Sequence, residues 1–318
     1  MPIAVTSNAV ASVRGGLEVF SIMGMGTKRT WDDVTNRVYS LSLKSGKWVE
    51  GKPVPGVAGR LGSAAIGVKS EVFVFGGYTI DGQGNEYTVG DANAYLTEER
   101  RWYRAADLPI PVDGAVIGAT HDRYIYVIGG RSKSGPVNNV QVYDVEKNTW
   151  SQANPFPGTP VFGHAGGIAD EVVVYVDGAK KEQASGKYVS SDECWMGKID
   201  KKDPQKITWS KLPAHPGPGR FNIVAGGADH EHRVLFSGGT TAPHDFKGLA
   251  ADGKPAELSP VTFAFDLHGN KWETITEDTY DVRADERGIV FTPIGPMILG
   301  GTLKNSAVSA RVLALPKK

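Results

Sequence analysis

The chain has 318 residues, 35 basic against 35 acidic, with 40 Gly, 19 Pro and 40% hydrophobic residues. No block of five or six like charges offers the clustered positive field a nucleic-acid partner needs, and no apolar run reaches the 18 residues of a membrane span. The single cysteine, Cys194, excludes an internal disulfide and a cysteine-based zinc site, and in the run Cys194-Trp195-Met196 it reads as a buried structural thiol.

Turn formers alternating with short β-prone runs point to an all-β protein. The chain opens Met1-Pro-Ile-Ala-Val-Thr-Ser-Asn8, with neither a basic n-region nor a long apolar stretch. As written it reads as cytoplasmic, or as periplasmic or secreted if a leader has been removed. The first β run, Val19-Phe-Ser-Ile-Met-Gly24-Met-Gly26, ends in a Gly-x-Gly. Clearer copies follow at Val72-Phe-Val-Phe-Gly76-Gly77 and Ile125-Tyr-Val-Ile-Gly129-Gly130. A degenerate fourth copy, Val172-Val-Val-Tyr-Val-Asp177-Gly178, precedes Val234-Leu-Phe-Ser-Gly238-Gly239 and Met297-Ile-Leu-Gly300-Gly301. The last glycines are spaced by 51, 53, 48, 61 and 62 residues, so six units of similar length are expected.

Downstream of five of these copies a β-like segment ends in tryptophan, at Trp48, Trp102, Trp150, Trp209 and Trp272. A Pro/Gly-containing linker then leads to a small-residue run such as Ser63–Val68, Ala115–Ala119 or Asn222–Gly226. Each unit thus supplies four strands, a to d. Small residues suit strand a, where strands converge, and the Gly pair suits the exit of strand b, where the backbone turns without a Cβ penalty. The Trp gives strand d a large surface for the neighbouring unit.

These features resemble the kelch repeat, from about Asn8 to Leu315, and the resemblance implies a six-bladed β-propeller. Residues 1–318 are then one propeller. After Gly301 only 17 residues remain, without a tryptophan, so Ile3–Val5 is expected to supply the strand that closes the ring, with 1–7 belonging to the last blade.

In such a propeller the d–a linkers and b–c loops share one face. Long b–c loops are expected at Tyr78 to about Asp91, Ala179 to about Asp192, and Thr240 to about Pro260, and loops on a rigid scaffold carry function. The linkers contribute Arg60, Asp113, Phe162, His164, Arg220 and the pair Glu286-Arg287. Arg60, Arg220 and Arg287, with Arg131 after the third Gly pair, suit a carboxylate or sulfate through bidentate contacts. The alternative, implied by the kelch resemblance, is that linker arginines make hydrogen bonds between blades. Asp113 and Glu286 balance these arginines or transfer protons, and Tyr78 stacks on a sugar ring or packs. His230-Glu231-His232 has a metal-like look, but in an a–b turn a solvated loop is the plainer reading.

Among kelch propellers the layout is similar to bacterial N-acetylneuraminate epimerases in its short N-terminal strand, Gly-x-Gly first copy and degenerate fourth copy. That likeness implies an acidic sugar as ligand. The family's Glu after Asn-Gly and its following Arg are replaced here by Ala179 after Asp177-Gly178 and by Lys187. His164, Glu182 and Glu286 are the remaining candidates for catalysis, with Asp192 as a further carboxylate. Galactose oxidase is a second kelch-containing relative, but its copper and Cys–Tyr cofactor need more than Cys194, so neither metal nor cofactor is expected. Two functions stay open: a mutarotase-like protein binding an acidic carbohydrate, and a non-enzymatic module binding protein or glycan.

Overall fold

The structure, a computed structural model, describes residues 1–56, 58–277, 281–285 and 288–315. Its main strands form six antiparallel sheets in chain order, the blades of a six-bladed propeller, and three two-stranded hairpins lie beside them. Blade one contains Ala9–Val13, Glu18–Met25, Val34–Ser42 and Lys47–Glu50; blade two contains Ala64–Val68, Glu71–Phe75, Ala92–Leu96 and Arg101–Arg104. Blade three follows with Val116–Thr120, Tyr124–Ile128, Val140–Asp144 and Thr149–Ala153, then blade four with Ala165–Ala169, Val172–Val176, Cys194–Ile199 and Ile207–Lys211. Blade five has Val224–Ala228, Arg233–Ser237, Thr262–Asp266 and Lys271–Thr276, and blade six has three described strands, Val290–Thr292, Gly295–Leu299 and Val312–Ala314.

Period-2 alternation along strand b explains why the blades stack. Val72 and Val74 face a cluster shared with blade one, while Phe73 and Phe75 face Ile125, Val127 and Tyr143 of blade three. Tyr126 and Ile128 then meet Val173 and Tyr175, and Val174 and Val176 meet Val234 and Phe236. Two further clusters join blade five to six and six to one. The core is therefore six apolar layers, one between each pair of blades, rather than a single central mass. Cys194 lies in one of these layers, and burial pushes its thiol up to about 12.

Four of the strand d tryptophans add a directed bond to their layers. The indole N–H of Trp102 donates to the Lys52 carbonyl (2.8 Å), Trp150 to Ala106 (2.7 Å), Trp209 to Asn154 (3.2 Å) and Trp272 to Pro213 (2.9 Å). Each acceptor lies in the linker that leaves the previous blade, so the Trp ties strand d to its neighbour.

The N-terminal segment closes the ring, by backbone bonds rather than as a ladder of the sixth sheet. The Val5 N–H donates to Ser309 (3.0 Å), the Gly301 N–H donates to the Val5 carbonyl (2.8 Å), and the terminal ammonium donates to Ala310 (2.5 Å). The Gly301–Val5 bond has counterparts in Gly77–Val112, Gly130–Val161, Gly178–Arg220 and Gly239–Arg283. Val5 therefore occupies the linker position of the repeat, which is reached only after strand d has ended, and that is why Ile3–Val5 is not itself paired as a strand.

Candidate functional site

The entry to strand a is built alike in all six blades. Isolated bridges pair Thr6 with Met25, Leu61 with Tyr78, Asp113 with Arg131, Phe162 with Ala179, Phe221 with Thr240 and Ala284 with Thr302. In each pair a linker residue meets the residue that follows the glycine pair or its counterpart, Met23-Gly24 in blade one and Asp177-Gly178 in blade four, so these twelve residues frame one mouth of the channel. One residue further on, a backbone ring closes around the axis. The N–H of Gly114 donates to Gly62, Gly163 to Gly114, Asn222 to Gly163, Asp285 to Asn222 and Ser7 to Asp285, at 2.6–3.3 Å. The circle is completed by the Gly62 N–H on the Ser7 hydroxyl, 3.2 Å away. All six ring residues have φ between +52° and +67°. Gly163 shows why glycine recurs here, since a Cβ would lie 2.1 Å from the Phe221 ring. The copies that are not glycine are Ser, Asn and Asp, and Asn and Asp tolerate the left-handed region best.

Below this ring lies an axial cavity of about 380 Å³, lined by strands a from His164 and Ala165 down to His121, Asp122, Asp229 and His230 at the a–b turns. On the outer side of the ring, aromatic and charged side chains form a belt across blades two to five. The Arg131 guanidinium sits 5.2 Å from the Tyr78 ring centre and 5.1 Å from that of Phe162. Its Nε donates to Asp113 (3.1 Å), and its Nη2 lies 2.6 Å from Glu86. Thr88 donates to the same Asp113 carboxylate at 3.2 Å. Burial opposes the Arg131 charge, but Asp113 and Glu86 outweigh it and raise the guanidinium above its ordinary value. Burial likewise holds the Tyr78 phenol well above its usual range. Phe162 continues the belt edge-on to Tyr188 (5.0 Å) and Phe221 (5.4 Å), and Phe221 meets His244 (5.2 Å).

The structure thus brings Tyr78, Asp113 and Arg131 together and places the other expected site residues elsewhere. Arg60 is buried in its own blade, donating to the carbonyls of Gly76 (3.0 Å) and Asp91 (2.6 Å) and to the Asn93 amide oxygen (3.0 Å). Burial lowers its guanidinium to about 10, still charged at neutral pH. Arg220 repeats this clamp in blade five on Gly238 (2.8 Å) and Ser259 (2.9 Å), with its guanidinium 5.0 Å from the Phe263 ring centre. Both side chains therefore serve as clamps within their own blades rather than as ligand-facing cations at the mouth. Arg283, which sequence reading overlooked, is the third clamp, on Gly300 (2.7 Å) and Arg311 (2.9 Å). His164 lies beneath the ring between Phe156 and Tyr175. Glu182 stands at the exposed tip of the blade-four hairpin, accepting from Ser185 at 2.6 Å. Glu286 and Arg287 lie outside the described residues.

Two of the three long b–c loops fold as extra hairpins, Tyr78–Ile80 with Glu86–Thr88 in blade two and Ala179–Lys181 with Tyr188–Ser190 in blade four, while the blade-five loop has isolated bridges only. Two aromatic side chains on these loops are half exposed, Trp31 in blade one and Tyr87 in blade two, each at 53%. The Trp31 indole packs over Gly82 at the blade-two hairpin tip. Arg29 holds the blade-one loop in place by donating to Ser306 (2.8 Å), Phe246 (3.1 Å) and Thr302 (2.6 Å). Sequence reading missed Arg29, Trp31, Glu86, Tyr188 and Phe221. The position directly after each glycine pair, read across all six copies, is the signal that leads to the mouth.

Strand order, glycine turns and tryptophan anchors together define a kelch-type six-bladed propeller. A profile of the KLHDC2/KLHL20/DRC7 Kelch-repeats domain matches residues 9–239, and the chain belongs to that family. Similar curated proteins include Kelch-like protein 38 of Rattus norvegicus, 29% identical over 42% of this chain, and Kelch-like protein 15 of Danio rerio, 27% identical over 59%. These matches span only 22% and 30% of the relatives' own lengths. The solved structure of YjhT superposes with a TM-score of 0.77 at 17% identity, covering 98% of this chain and 95% of that one, which is a likeness of fold.

Proposed function

We propose that the protein is a binding module whose d–a and b–c face engages a segment of a partner protein. Kelch domains mediate protein interactions, and this chain belongs to such a family. The observation that carries the reading is the fate of the arginines. Arg60 and Arg220 are spent on carbonyls of their own blades, and Arg131 is flanked by Asp113 and Glu86. An acidic sugar would have to compete with two carboxylates for Arg131. What the face offers a partner is instead the exposed pair Trp31 and Tyr87 beside a rigid aromatic belt, the residue types on which binding energy concentrates.

The test is selection of peptides against the immobilised protein, followed by calorimetry with Trp31→Ala and Tyr87→Ala. Each substitution is expected to weaken the selected peptide about tenfold, within the range of interface anchors. Both side chains are half exposed, so the variants keep the melting temperature of the parent. Unchanged affinity in both would overturn the reading.

The sialic acid mutarotase-like activity implied by the sequence layout is a second reading, supported by the near-complete structural likeness to YjhT. It predicts faster anomer exchange of N-acetylneuraminate by NMR with the purified protein, reduced in Arg131→Ala. The first reading expects no acceleration.

A further inference from the structure

On the opposite face, away from the mouth, three turns of blades four and five bring together Asp170, His232 and His268. We infer that they form a binding site for a divalent transition-metal ion of the zinc, cobalt or nickel type. One ligand atom from each side chain lies within 4.8 Å of the other two. Asp170 and His232 occupy the a–b turns of neighbouring blades, and His268 the c–d turn of blade five, so distant segments supply the set. His232 Nδ1 contacts the Asp170 carboxylate directly, and the His232 and His268 rings stack with centres 4.2 Å apart.

All three side chains line one open cleft of about 620 Å³. The Asp170 and His232 side chains are 33% and 45% exposed, enough room to rotate toward a shared ion. Their backbones are meanwhile held. The Asp170 N–H donates to the Asp229 carboxylate across the blade boundary (3.0 Å), and the His232 N–H donates to the Asp229 carbonyl (3.0 Å). A metal needs donors at roughly 2.0–2.2 Å, so rotamer changes of about an ångström complete the shell without moving the turns.

The donor types choose the ion. Two imidazoles and one carboxylate suit Zn²⁺, Co²⁺ and Ni²⁺, whereas Ca²⁺ and Mg²⁺ take oxygen ligands. Imidazole nitrogens are the commonest ligands of such ions, and the Asp170 carboxylate supplies a negative charge. Lys198 and Lys201 line the same cleft, and Lys201 lies 3.9 Å from Glu171, so the site carries little excess negative charge. Three protein ligands leave the fourth tetrahedral position to water or to a donor from outside, the composition of an open rather than a closed structural site.

Chelator-treated protein titrated with Co²⁺ tests the site. The parent is expected to develop visible d–d absorption saturating at one equivalent, and Zn²⁺ should displace it. His268→Gln and Asp170→Asn should abolish that absorption. His230→Gln, which alters the neighbouring histidine of the same turn, should preserve it. Zn²⁺ should also raise the melting temperature of the parent and leave that of His268→Gln unchanged, since an ion bound only by the folded state stabilises it. His268 is exposed, so its variant folds without metal. No absorption in the parent, absorption that survives in His268→Gln, or absorption lost in His230→Gln would each overturn the assignment.

Discussion

Glycines of the repeat divide by what surrounds them. Gly238, first of the fifth pair, has φ +69°, and a Cβ there would sit 1.9 Å from the Arg283 carbonyl oxygen, a backbone atom that cannot turn aside. Gly15, in the first a–b turn, has a similar φ of +64° but nothing within 4 Å. Gly238→Ala is therefore expected to cost about 3 kcal/mol or more, combining left-handed strain with overpacking. Gly15→Ala should cost about 1 kcal/mol, from the strain alone. Chemical denaturation of the two variants measures the difference, and equal losses would show that φ rather than close approach sets the glycine requirement. Asp177 is an informative exception, standing, like Met23 in blade one, where the other copies carry the first glycine. It takes φ +63° and accepts hydrogen bonds from the buried His215 ring (2.8 Å) and the Arg220 N–H (2.9 Å). Burial raises its carboxyl, and His215 and Arg220 partly offset that. The irregularity that reads as a decayed repeat is thus a different way of satisfying the same turn.

In blades two to five the tryptophan of the outer strand ties that strand to the linker from the neighbouring blade. Trp150 packs edge-on to Phe75 (5.2 Å) and tilted against Tyr143 (5.0 Å), while its indole N–H reaches Ala106. Trp150→Phe keeps most of the ring area and loses the hydrogen bond, an expected cost of about 1 kcal/mol. Trp150→Ala removes both, at roughly 3 kcal/mol or more. Equal destabilisation by the two substitutions, read from urea midpoints, would show that the bond and not the packing anchors strand d. Strands and their tryptophans were legible in the sequence because they obey local periods. Ala64–Val68, Glu71–Phe75 and Val140–Asp144 fall within two residues of the runs read from hydrophobic alternation. The extra hairpins inside the long loops were not legible as strands, because Glu86–Thr88 and Tyr188–Ser190 are short and carry no alternation of their own.

For the whole molecule the decisive event is closure. Every interblade layer is sandwiched by two sheets, and the ring leaves no inner blade edge open only if blade six meets blade one. Residues 1–7 make that junction through Val5 to Ser309 and Gly301, Thr6 to Met25, and Ser7 to Asp285. Deleting them removes several backbone bonds at about 1 kcal/mol each and opens the axial ring. At roughly 2 °C per kcal/mol for a domain of this size, the melting temperature should fall on the order of 10 °C. A melting temperature within a degree of the parent's would show that closure rests on the apolar layer between blades six and one alone.

The sequence by itself determined the number of blades, the four-strand unit and the face that carries the mouth. Each of these follows from spacings and side-chain types repeated within about fifty residues, and repetition makes a weak local signal additive. Which charges remain available at that mouth was decided only by the tertiary structure. Arg60, Arg220 and Arg131 look alike in sequence, yet two turn into their own blades and the third lies between Asp113 and Glu86. The tertiary structure also gave the unpromising His230-Glu231-His232 run one of the three ligands of the inferred site, by placing Asp170 and His268 beside His232. A guanidinium or imidazole is satisfied by whatever carbonyl, carboxylate or ring stands within about 3 Å, and those neighbours come from segments tens of residues away. Short-range patterning therefore specifies the scaffold, while long-range contact specifies its chemistry.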